Sequence, residues 1–152
     1  MEPTPYKELS DLQILALCIW REARGEGMLG KRGVGCVVRN RINAKSFFGH
    51  DWKAVILKPY QFSSFNSDDP NSIKWPVDRD EAWEECLDTA AEVLGGAEDV
   101  TNGALYYFSP PLNDPPHAWG KVWETAHIGN LQFFKSMPTQ DAIAGVTNGI
   151  AE

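Results

Sequence analysis

The chain has 152 residues, 43% of them hydrophobic, and a formal net charge of -7. That length suits one domain with a proper core, and the acidic balance disfavours nucleic acid, whose phosphates need clustered Lys and Arg. No segment reaches membrane-spanning length, and the N-terminus MEPTPYKELSD lacks the basic-then-apolar pattern of a secretory signal. The expectations are therefore no membrane insertion, synthesis in the cytoplasm without a signal peptide, and release to any outside target by a separate route.

Residues 1–10 form an N-terminal extension. Ser10 with Gln13 then makes a capping box, so the first helix starts at Asp11 and runs to about Ala23. This helix is apolar on most sides, as expected of a central element. Glu22 shares a face with Leu15, Cys18 and Ile19 and stands just before the glycine break in EARGEG. A carboxyl at the inner edge of a core is disfavoured in its charged form. An acid that carries its proton is what glycosidic cleavage needs, because the leaving sugar oxygen must be protonated. The other reading of the same pattern is a helix-end residue paired with Arg21 or Arg24.

A second helix is expected over residues 30–44, with Val34, Val37, Val38 and Ile42 on one face and Gly33 and Gly35 permitting close approach. DWKAVILK is a short helical run that ends before Pro59. Asp78 with Glu81 reads as a capping start for a helix striped by Trp83, Cys86, Leu87, Ala90 and Leu94, with a stop at Gly95-Gly96. Beyond Gly103, ALYYFS and IGNLQFF are aromatic-rich strand-type runs, separated by the extended loop SPPLNDPPHAWGK. The fold class is thus α+β, helix-rich, with a small C-terminal antiparallel β region, spanning residues 11–137. Residues 138–152 read as a loosely held tail.

Cys18, Cys36 and Cys86 are odd in number and lie within helical runs, so they read as small core residues. His50, His117 and His127 are scattered, without metal-ligand spacing. No metal and no cofactor is expected, and neither a Cys-His nor a zinc amidase fits.

The strings LALCIWREARGEG, GVGCVVRNRI, ILKPYQFSSFN, TNGALYYFSPP and HIGNLQFF, in that order, resemble the SleB-type family of spore-cortex-lytic cell-wall hydrolases over residues 12–134. The resemblance implies cleavage of peptidoglycan glycan strands, as a lytic transglycosylase, by a compact lysozyme-like catalytic domain, and the chain is expected to be a monomer. It also implies that Glu22, the first Glu of EARGE, is the catalytic acid/base. IGNLQFF departs from the family's IGNHVF-like ending. A hydrolytic glycosidase would need a second carboxylate, for which Glu26, Asp68 and Asp69 are the candidates. A transglycosylase needs none, because the muramic 6-hydroxyl attacks internally.

Substrate contacts are expected from Gln61, Phe62 and Ser63 in the loop after Pro59, with Asn66 as a further amide. Others are expected from Tyr106 and Tyr107, which alternate on a strand so that one of them faces the cleft, from Trp119, with Trp75 the other loop indole able to stack on a sugar, and from Glu26. The short architecture suits a phage or prophage endolysin that reaches the cell wall through a holin-made hole. A noncatalytic glycan-binding wall protein is the alternative from a different class.

Overall fold

The computed structural model describes residues 1–138, so the expectation of a loose tail falls, beyond Pro138, outside the described residues. Helix α1 (Asp11–Ala23) opens with the capping box, Ser10 accepting from the Gln13 amide and Gln13 reaching back to the Ser10 amide. Ile14 through Ala23, Glu22 excepted, are buried, as a helix apolar on most sides requires. Three helices surround it: α2 (Met28–Asn43), α3 (Trp52–Leu57) and α4 (Glu81–Leu94). Together they form one core that continues under the sheet.

Helix α2 begins two residues earlier than its apolar pattern indicates, capped by the Gly27 backbone without a side chain. The glycines on it act by proximity. A Cβ at Gly33 would stand 2.5 Å from the ring of Phe133, and one at Gly35 would stand 3.0 Å from Val93. Helix α4 corrects the expected start: Asp80, not Asp78, caps it by accepting from the Trp83 amide at 3.1 Å. Its stripe buries Trp83, Cys86, Ala90 and Val93, whereas Leu94 is exposed. Burial pushes the Cys86 thiol up to about 12, in keeping with its place in the core.

The sheet has three antiparallel strands in the order β1-β3-β2: β1 (Tyr106–Phe108), β2 (Val122–Ile128) and β3 (Leu131–Ser136). Tyr107 pairs with Phe133, and Ile128 pairs with Leu131 across a turn at Gly129-Asn130. The expected strand IGNLQFF is therefore two strand ends and a hairpin turn. β2 has no counterpart in the expected elements because its burial does not alternate.

A polar knot fastens α2 to the entry of β1. Asp99 accepts from Asn40, from Thr101 and from the Gly103 amide. Burial works against its ionised form, yet these hydrogen bonds hold its carboxyl below the usual range. Asn40 also donates to the Ala104 carbonyl at 2.9 Å and Arg41 to the Leu105 carbonyl at 2.8 Å, which sets β1 alongside the C-terminal ends of α1 and α2.

Candidate active site

Between the end of α1, the loop after α3 and strand β1 lies a cleft of about 520 Å³. Glu22 reaches it because α1 ends one residue later, at Ala23. It is the only carboxylate among the described residues that line the cleft. The Tyr107 phenol donates to Glu22 Oε1. Burial, and then the adjacent Glu22 carboxyl, push that phenol well above its ordinary range, so the hydroxyl keeps its proton and remains a donor. Beneath them, burial and then Glu22 raise the Cys18 thiol in the same way.

Neither neighbouring arginine pairs with Glu22. Arg21 turns away to the carbonyls of Lys74, Ser64 and Ser72 and to the Tyr6 hydroxyl. Arg24 folds back on the Trp20 carbonyl and ring. Glu22 has no ion-pair partner within 4.0 Å among the described residues.

Of the residues expected to touch substrate, Gln61, Ser63, Tyr106, Tyr107 and Trp119 line this cleft together with Glu22. Trp119 stacks on Tyr106 with ring centroids 4.8 Å apart. Phe62 does not surface: it is 1% exposed and packs below Tyr107 and Arg41. Glu26 also lies elsewhere. It accepts from the amide and the side chain of Asn130, at 3.1 and 3.3 Å, and so fastens the β2–β3 turn to the start of α2. The neighbouring Lys31 pairs with Glu85 at 2.6 Å. Asn66 accepts from the Tyr60 amide, Asp69 caps a short 3-10 helix, Asp68 is exposed in a loop, and Trp75 packs on Tyr6 and Arg21.

Among the lining groups that the sequence did not single out, three stand out. Phe47 and Tyr60 stand on the rim, 64% and 83% exposed, and Tyr60 holds a left-handed φ of 65°, an unfavourable backbone for a residue with a Cβ. The third is Arg41. Its spacing from Val34, Val37 and Val38 puts a cation on the buried stripe of α2, a signal of the kind that marked Glu22.

A model of the family described as Cell Wall Hydrolase matches residues 25–134. The chain belongs to the cell wall hydrolase family. The match opens just after Glu22, but pairwise similarity extends across most of the chain. The spore cortex-lytic enzyme of Oceanobacillus iheyensis is 32% identical over 133 residues, 88% of this chain and 44% of that protein. The Bacillus subtilis spore cortex-lytic enzyme is 29% identical over 115 residues, 74% of this chain and 33% of that one. The chain thus spans less than half the length of these relatives.

Two solved structures share this cell wall hydrolase fold. The catalytic domain of the Bacillus cereus SleB protein is 29% identical with a TM-score of 0.65, over 82% of this chain and 89% of that one. The catalytic domain of the germination-specific lytic transglycosylase SleB from Bacillus anthracis is 28% identical with a TM-score of 0.66, over 87% and 100%. The SleB-type resemblance and the helix-rich, lysozyme-like α+β fold class both hold.

Proposed function

We propose that the cleft cleaves peptidoglycan glycan strands as a lytic transglycosylase, with Glu22 as its single acid and base. The observation that carries this reading is the one carboxylate that lines the cleft among the described residues, oriented by a phenol that remains a donor. Glu22 gives its proton to the glycosidic oxygen as the bond to the muramic C1 breaks. The resulting carboxylate then takes the proton of the muramic 6-hydroxyl while that oxygen bonds to C1, closing an anhydro ring and restoring the acid. No water is consumed. Exposed Phe47 and Tyr60, with Trp119 and the amide and hydroxyl of Gln61 and Ser63, supply the flat faces and hydrogen bonds that a neutral sugar chain uses. The name of the Bacillus anthracis relative, a lytic transglycosylase, supports the same chemistry.

Mass spectrometry of released muropeptides tests it. Anhydromuramic ends, lighter by one water than reducing ends, are expected. Exclusive reducing ends would instead make the enzyme a hydrolytic muramidase that recruits a second carboxylate. For the setting, we propose a wall-lytic role released in phage lysis, and digestion rates on vegetative sacculi and on spore cortex separate it from the cortex-lytic role of the relatives.

A further inference from the structure

Two buried arginines give an internal comparison. Arg21 is 6% exposed and Arg41 is 5% exposed, and each is surrounded by aromatic rings. Every guanidinium nitrogen of Arg21 donates to a protein oxygen, at 2.8 to 3.3 Å. Arg41 spends only Nε, on the Leu105 carbonyl. Its Nη1 is buried without a partner, and among the described residues it has no ion pair within 4.0 Å. A buried cation with idle donors is costly to the folded state unless something fills them. Arg41 also lines the cleft beside Glu22, whereas Arg21 lies outside it.

The free edge of a guanidinium only donates, so its complement is an acceptor of high negative charge density. On a neutral glycan the strongest such acceptors are acyl oxygens. We propose that Arg41 is a substrate-binding residue whose free guanidinium edge takes an acyl oxygen of the bound glycan, the carbonyl of an N-acetyl or a lactyl group. This rests on the glycan-cleaving reading of the cleft. It gives Arg41 two tasks: Nε ties α2 to β1, and the remaining edge reads the sugar substituent.

Binding is measured in the non-cleaving Glu22→Gln protein, with and without Arg41→Lys. The ligands are an N-acetylglucosamine hexamer, its fully N-deacetylated form, and peptide-free strands containing N-acetylmuramic acid whose lactyl carboxyls are amidated, which keeps the lactyl carbonyl without its charge. Arg41→Lys keeps the charge and loses the fork. It should weaken acylated ligands roughly 10- to 100-fold while changing the deacetylated hexamer less than about twofold, as expected for one charge-assisted hydrogen bond. Loss on both acylated ligands assigns the N-acetyl carbonyl; loss confined to the muramic strands assigns the lactyl one. With Arg41 intact, its guanidinium N–H resonances should shift on saturation with an acylated ligand and stay in place with the deacetylated one, a readout that does not depend on how the variant folds. Unmoved resonances, or unchanged affinity in a folded Arg41→Lys protein, would overturn the assignment. Failure of the Arg41-intact protein to bind any of the three ligands would overturn the glycan reading itself and this assignment with it.

Discussion

Glu22 and Glu26 are four residues apart, yet they serve different parts of the fold. Glu22 ends α1 facing the cleft, under the Tyr107 hydroxyl. Glu26 follows the break and turns to the β2–β3 hairpin, where it holds Asn130. In an unbroken helix, residues at i and i+4 share a face. Here the helix stops at Ala23 and the backbone turns through Gly25, so the second carboxylate swings away from the first. The break keeps the cleft at one acid and gives the neighbouring acid a structural task.

The largest effect expected is on the cleft side. Glu22→Gln should lower the rate of peptidoglycan clearing by about 10²–10⁴-fold while leaving the melting temperature close to that of the parent. The amide keeps the shape and cannot give up a proton. A folded variant that clears wall suspensions at the parent rate would remove Glu22 from the chemistry and erase the contrast between the two carboxylates.

Tyr107→Phe comes next. It removes the donor that orients Glu22 and should slow clearing roughly tenfold, equivalent to about 1.4 kcal/mol. A pH signature accompanies it. The folded phenol titrates well above its ordinary value of about 10, so above that value the unfolded chain loses this proton before the folded one does. The stability linked to Tyr107 is complete below about pH 10 and drains away as pH rises towards the folded value. Cys18 and Cys86, also raised, drain in the same direction, so the readout is the difference between the parent and Tyr107→Phe. The variant's alkaline loss of stability should be shallower; identical slopes would show that the buried phenol is not what the cleft protects.

How far each side could be read from the sequence follows the same division. The α1 start, most of the apolar stripes and the Gly95-Gly96 stop are local patterns and appear where spacing puts them, although Val93 takes the buried place expected of Leu94. The start of α4 was displaced because two aspartates precede the helix and only geometry selects Asp80. β2 escaped because its residues are mostly half-exposed and do not alternate, although the Gly-Asn pair of IGN is a hairpin signal. In the cleft, Glu22 and Arg41 are both charges on apolar stripes, and the glycine break after Glu22 is what sets the first apart. Phe62 looked like Gln61 and Ser63 in sequence, and its burial depends on Arg41 and Tyr107 arriving from other elements. Glu26 meets Asn130 across 104 positions, a distance no local pattern spans.

The smallest effect belongs to Glu26. Glu26→Ala removes the acceptor for the Asn130 amide and side chain, both at the protein surface. Water can replace part of what is lost, so the cost should be about 1 kcal/mol of stability, seen as a modest fall in melting temperature. The turn itself should persist, because Gly129 holds its left-handed φ of 58° with no side chain to oppose it. Below the melting transition, clearing activity should stay within about twofold of the parent, since Glu26 does not line the cleft. Loss of activity on the scale of Glu22→Gln, with the fold intact, would mean that Glu26 leaves the hairpin to join the cleft when substrate binds. The enzyme would then be a two-carboxylate hydrolase, and its products would carry reducing ends.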